Sequence, residues 1–528
     1  MFRRAFLHDT SLVSALSFIS GAFVRLDRHS VISKHVDLVE MTIGELHEGY
    51  QSKQFTILDV VRSYLDRIQR IDDSGPMLNS VISLNPKALE QAETLDQELQ
   101  DGKGRGRMHG VPVILKDNID TKDIPTTAGS RALDGSYPLK DSHVTRQLIE
   151  AGAVILGKAN LSEWANFRGR NSTSGWSGMG GLTKNPYVLD RNACGSSSGS
   201  GASVSANLCM VAIGTETNGS IVCPSNANGV VGIKPTVGLI SRSGIIPISW
   251  TQDTAGPMAR TLTDATICLN VLTKTDSLDA KTLQAGRKTF NDYTQFLDPD
   301  GLRGKKLGYY TQSRGRLNSV DRLMDQALEV IRGRGAEIIE IESIAAPSAG
   351  SDSFQIMLYE YKDGLNKYFA SLGDKAQIKN LQELIEFNRK DSLELEHFGQ
   401  EFLEMALDKE GLDSEDYRDT LERMLKASRE DGIDAVMNEH ALDAFIAPTG
   451  SPAWKSDLVV GDNFSLGSSS PAARAGYPNI TVPMGFIKEL PVGLSFFGKA
   501  WSESTLLSAA YDFEQSTNYR RTPKFLKS

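Results

Sequence analysis

Cysteine is scarce in this chain. Cys194, Cys209, Cys223 and Cys268 are the four among 528 residues, too few and too widely spaced for a disulfide scaffold or a C-x-x-C metal site. They read as small buried thiols. The eight histidines are scattered, with no H-x-x-H or H-E-x-x-H pair, so no protein-bound metal is expected. Positive charge is in deficit as well. A net charge of −9 gives no electrostatic footprint for nucleic acid, which calls for a basic patch. Long apolar runs are also missing, and stable membrane insertion, which needs about 20 apolar residues, is not expected.

The N-terminus is less bland. Arg3-Arg4-x-Phe6-Leu7 matches the twin-arginine export pattern, a mild apolar run follows from Ser11 to Ala22, and Ser20-Gly21-Ala22 supplies small residues for cleavage. Residues 1–22 are therefore expected to be a twin-arginine signal peptide, and the protein to be exported to the periplasm. The alternative is a frayed N-terminal helix on a cytoplasmic protein.

Helical and strand signals alternate beyond this leader. Thr42-Ile-Gly-Glu45 fits a capping box. Ile57, Val60, Val61, Tyr64, Leu65 and Ile68 follow helical spacing, and 86–101 reads as another helix. GVPVILKD (110–117) and AGAVILGKAN (151–160) are short apolar runs bounded by glycine, which suits buried strands. The alternation continues to about residue 275 and points to an α/β sandwich on a large sheet. Residues 354–440 are charge-rich and helical before strand-like runs return in DAFIAP, NITVPM and GLSFFG. That return marks a helical excursion from one domain.

Two motifs mislead. Gly152-Ala-Val-Ile-Leu-Gly157-Lys158 nearly spells a P-loop, but Ala159 stands where Mg²⁺ needs a hydroxyl, and the intervening residues are strand formers. It reads as a core strand. Gly195-Ser-Ser-Ser-Gly199 fits a G-x-S-x-G nucleophile elbow centred on Ser197. An elbow needs a preceding strand and a later histidine. NPYVLDRNA is a poor strand, and His397 and His440, the later histidines, both fall in the helical excursion.

Three ordered elements carry more weight: Lys116 in GVPVILKD, then ACGSSSG around Ser196, then GTETNGSIVCP around Ser220. With NPYVLDR (185–191), GVVGIKPTVGLIS (229–241), DTAGPM (253–258) and AGYPNITVPMG (475–485), the chain resembles the amidase signature family over residues 38–525. The resemblance implies one large domain, a mixed twisted β-sheet sandwiched between α-helices with the 354–440 excursion. It implies a Ser-cisSer-Lys catalytic unit of Ser220 as nucleophile, Ser196 as proton relay after a cis peptide bond, and Lys116 as base. Backbone N–H groups of Thr217, Asn218, Gly219 and Ser220 would form the oxyanion hole, with Ser197 in a supporting role. No cofactor is implied.

This chemistry is coherent from first principles. A serine hydroxyl is a weak nucleophile until a base takes its proton. Lysine serves as that base only when neutral, and burial lowers its pKa from about 10.4 by penalising the ammonium. The apolar run Val111–Leu115 is expected to carry Lys116 inward. Three positions depart from the family pattern: Glu216 for Asp, Asn218 for Gly and Val222 for Arg. None removes a reacting group. The combination of motifs most resembles the bacterial peptide-amidase branch, which implies deamidation of C-terminal peptide amides with release of ammonia. Another amide or aryl-amide hydrolase, and the A subunit of a tRNA-dependent amidotransferase, remain alternatives. The expected partner is a small-molecule or peptide amide, with no obligate protein partner.

Overall fold

The computed structural model describes residues 35–528 apart from 347 and 375. The signal peptide expected at 1–22 lies outside the described residues. Among the described residues thirteen short strands form: β1 Val81–Leu84, β2 Pro112–Lys116, β3 Val154–Ala159, β4 Trp176–Ser177, β5 Gly181–Leu182, β6 Val211–Glu216, β7 Val231–Lys234, β8 Thr254–Ala259, β9 Lys306–Tyr310, β10 Glu337–Ile341, β11 Ala444–Pro448, β12 Asn479–Ile487 and β13 Leu490–Phe497.

Eleven strands join in one sheet in the order β1-β3-β2-β6-β8-β7-β12-β13-β11-β9-β10, while β4 and β5 pair separately. Pairing is mixed. β2 runs parallel to both β3 and β6, and β6 runs antiparallel to β8. Every residue of β2, β3, β6, β7 and β8 is buried. That explains their unbroken apolar texture, because a strand covered on both faces has no solvent side to encode.

The helices follow their sequence signals. Thr42 and Thr56 each close a capping box with Glu45 and Asp59, which satisfies N–H groups that the first helical turn leaves unpaired. The near-P-loop is strand β3, as expected. Its Lys158 is fully buried, 2.8 Å from Thr126 Oγ1 and 3.4 Å from Asp117.

The helical excursion comprises Ala349–Ser371, Leu381–Lys390, Glu401–Leu407, Glu415–Ser428 and Asp434–His440. Leu358, Tyr361, Leu365 and Phe369 from its first helix pack on Trp164, Phe167, Ile246 and Ile248 from the strand-linked loops. Arg168 fastens the same junction: its guanidinium contacts Glu163 and lies 3.1 Å from Glu394, all three side chains buried. The excursion thus packs on the loops that follow β2, β3 and β7.

Candidate active site

The parallel register of β2 and β6 pairs Leu115 with Ile213. It carries Lys116, the last residue of β2, alongside Thr215 near the end of β6. Lys116 Nζ lies 2.9 Å from Thr215 Oγ1 and 3.2 Å from the Thr215 carbonyl, and Asn118 Nδ2 donates to the same Thr215 hydroxyl at 3.0 Å. Its third partner arrives from the loop before the helix Ser198–Ser205: Lys116 Nζ lies 2.7 Å from Ser196 Oγ. The side chain has no solvent exposure. Burial lowers its pKa to about 7, against the opposing pull of the Asp253 and Glu216 carboxylates.

Ser196 is held by its backbone. The Gly195–Ser196 peptide is cis, as the resemblance implied, and the Ser196 carbonyl accepts from the Ser162 N–H at 3.0 Å. A Cβ at position 195 would fall 2.1 Å from Ser162 Oγ, so only glycine fits there. Ser197 takes a structural part. Its hydroxyl donates to the Thr215 carbonyl at 3.1 Å and accepts the Thr215 N–H at 3.2 Å. Among the described residues it contacts no histidine: His397 packs on Trp176, and His440 ends a helix of the excursion.

The chain leaves β6 at Glu216 and turns through 217–220 into the short helix Val222–Ala227. Gly219 adopts φ +84°, a left-handed conformation that suits glycine. The Ser197 N–H donates to the Ser220 carbonyl at 3.2 Å, so the two serine loops touch. Among the described residues the N–H groups of Thr217, Asn218, Gly219 and Ser220 donate to no other protein group. Glu216, a departure from the family pattern, accepts the N–H groups of Ile221 and Val222 at 2.8 and 3.0 Å. The longer acid therefore braces the far end of the turn. Asn218 accepts from Ser469 Oγ at 2.7 Å and donates to Ser470 Oγ at 3.2 Å.

The cysteines require a correction. Cys194 and Cys223 form a disulfide, while Cys209 and Cys268 are free and buried as expected. The pair is 29 residues apart in sequence but 6.0 Å apart at Cα, within bonding reach, because the loop contact at Ser197–Ser220 brings them together. The bridge ties the segment before Ser196 to the segment after Ser220. Replacing both cysteines by serine should lower stability by about 3–4 kcal/mol, the closure entropy of a loop this long, read as a shifted urea midpoint. A loss below about 1 kcal/mol would mean that the bridge constrains little.

Above the loops opens a cleft of about 330 Å³ that the disulfide, Asn218, Trp454, Phe464 and Asp462 help to line. No lysine or arginine is among its lining residues, and Asp462 is its one ionisable side chain. Asp462 accepts the Ser174 N–H at 3.0 Å and Trp454 Nε1–H at 3.2 Å, and burial raises its carboxyl above the usual range. Sequence reasoning missed Thr215, Asn118, Asp253 and Asp462. The first three stand within or beside the motifs that carry the family resemblance, so their position held a signal; Asp462 comes from a loop far from the candidate residues in sequence.

The chain belongs to the amidase family, whose profile matches residues 59–507, and it is a hydrolase acting on amide C–N bonds. It is 46% identical to the native peptide amidase of Stenotrophomonas maltophilia, with a TM-score of 0.88 over 92% of this chain and 99% of that one. A probable amidase of Arabidopsis thaliana is 40% identical over 94% of this chain and 93% of its own length. The A subunit of the glutamyl-tRNA(Gln) amidotransferase of Cyanothece is 33% identical over 90% of this chain and 98% of its own length.

Proposed function

We propose that the protein hydrolyses the C-terminal carboxamide of peptide amides and releases ammonia through an acyl-enzyme on Ser220. Ser220 Oγ attacks the amide carbonyl as its proton passes through Ser196 Oγ to Lys116 Nζ. The free N–H groups of the 217–220 turn are suited to receive the oxyanion. The proton then moves to the leaving nitrogen, the C–N bond breaks, and ammonia departs. Water, deprotonated through the same relay, attacks the ester and frees the acid and Ser220. Amide and water thus become acid and ammonia, with no other reactant.

The observation that carries the substrate assignment is the cleft lining without a cation. Free glutamine brings an α-carboxylate, and desolvating a carboxylate without a partner costs several kcal/mol. The interior of a peptide amide is neutral and offers N–H groups that hydroxyls and side-chain amides can meet. The likeness to the peptide amidase supports the same substrate class. An aryl amide is the second reading, favoured by the Trp454–Phe464 edge contact at 5.8 Å in the cleft wall. The Cys194–Cys223 bridge supports export, since disulfides persist in oxidising compartments. The enzyme needs no protein partner in this reading.

The test is hydrolysis of a peptide amide, free glutamine and an acyl anilide by the full chain expressed with its leader and fractionated. Release of ammonia from the peptide amide, at a kcat/KM at least about tenfold above the others, by enzyme recovered in the periplasmic extract, is the expected result. Turnover of glutamine alone overturns the substrate class, and recovery only in the cytosol overturns export.

A further inference from the structure

Asp253, the first residue of DTAGPM, stands just before β8 and joins two segments that the chain sets far apart. Its Oδ1 accepts the Thr217 hydroxyl at 2.5 Å, and its Oδ2 accepts the N–H groups of Ile248 and Ser249 at 2.7 and 2.8 Å. Thr217 is the first residue of the turn that leads to Ser220. Ile248 belongs to the wall on which the helical excursion packs. One carboxylate therefore spans the gap between turn and wall. With Glu216 fastened to the N–H groups of Ile221 and Val222, the turn is braced at both ends and its own N–H groups stay free.

The same carboxylate stands beside the cluster that holds the base. Asp253 shares a small cavity with Asn118, Thr215 and Thr217, and Asn118 and Thr215 belong to the hydrogen-bonded cluster around Lys116. The charges near Lys116 are few. Glu216 and Asp253 are the carboxylates that act on it, and Lys158 on neighbouring β3 is occupied by Asp117. Around Asp253 stand Arg242, which is itself paired with Asp279 at 2.6 Å, and the buried Tyr361.

We propose that Asp253 is a positioning residue with two separable effects: its bond to Thr217 holds the 217–220 turn in place for the transition state, and its negative charge acts on the Lys116 cluster across the cavity that Asp253 shares with Thr215 and Asn118. The inference rests on the reading of Lys116 as base and Ser220 as nucleophile. The two effects separate in two variants. Thr217→Val removes the donor and keeps the charge. Asp253→Asn removes the charge but keeps one acceptor oxygen, for either Thr217 or the N–H groups of Ile248 and Ser249, so its acid limb alone is read.

The sign follows from electrostatics. A carboxylate near a lysine favours the ammonium, so its removal lets Lys116 stay neutral at lower pH. The experiment measures kcat and KM against pH for wild type and both variants, on whichever amide wild type cleaves, with Ser220→Ala as the blank. Thr217→Val should lose kcat about tenfold or more, the order expected for a lost hydrogen bond to a charged group, with KM within about twofold and the acid limb unmoved. Asp253→Asn should move the acid limb to lower pH by about half a unit to one unit.

An Asp253→Asn limb that coincides with wild type overturns the electrostatic half, and an unchanged kcat in Thr217→Val overturns the bracing half. A limb that moves equally in both variants overturns their separation. Wild type that cleaves no amide is a different failure, since it removes the reading on which the inference rests.

Discussion

A Ser220→Ala variant should release no measurable ammonia from any amide that wild type hydrolyses, with a rate lower by on the order of 10⁴–10⁶, and should melt where wild type melts. The contrast follows from how the residue is held. The Ser220 hydroxyl has no hydrogen bond among the described residues, and the side chain is only partly buried. Its removal therefore opens no cavity in the packed core and leaves no partner unsatisfied. The contacts that shape the turn are made by other atoms: the Ser220 carbonyl receives the Ser197 N–H, Glu216 receives the next two N–H groups, and the disulfide closes the loop. A surface-type change of this kind shifts stability by about 0.5 kcal/mol or less. Ammonia assays and a thermal melt on the same preparation check both halves. A variant that keeps more than about a tenth of the wild-type rate would remove Ser220 from the nucleophile's place.

The candidate residues stood out in the sequence because local chemistry marks them. Lys116 ends an apolar run bounded by glycine, and burial of the whole of β2 is what that run encodes. Gly195 and Gly219 mark the two places where a loop passes too close, or turns too sharply, for a side chain. The helical excursion was legible from its charge and the return of strand-like runs. Long-range pairing was not. Nothing in the local pattern of GVPVILKD puts β6 on one side of β2 and β3 on the other. Cys194 and Cys223 stand 29 residues apart and meet only because two loops fold onto one another. Arg168 reaches Glu394 in the middle of the excursion, and Asp462 reaches Ser174 from a distant loop. Periodicity reports which side of an element is buried. It does not report which element covers it.

Lys116→Met should abolish most of the activity while leaving the fold intact, and the wild-type pH profile should show why. In the proposed mechanism Lys116 must be neutral to accept the proton that Ser220 gives up through Ser196. Burial has lowered its pKa to about 7, so kcat/KM should rise with pH through a limb near 7 and fall tenfold for each further unit of acidification. An unperturbed lysine would put that limb above about pH 10. Methionine keeps an unbranched stem of similar reach in the fully buried site and removes only the amine. Thr215 and Asn118 remain bonded to each other at 3.0 Å. Ser196 Oγ loses its 2.7 Å partner, at a cost of about 1 kcal/mol, while the chain no longer has to desolvate an amine, which offsets that cost. The rate should fall by about 10²–10⁴, the usual contribution of a general base, with the melting temperature unchanged or higher. A flat wild-type profile between about pH 5.5 and 8.5, or a Lys116→Met enzyme within tenfold of wild type, would take the base out of this position. A limb near 7 that disappears in Lys116→Met would bind the titration to this one amine, because Ser220 and Ser196 do not ionise in that range and Asp253, raised to about 6 by its burial, is still present in the variant.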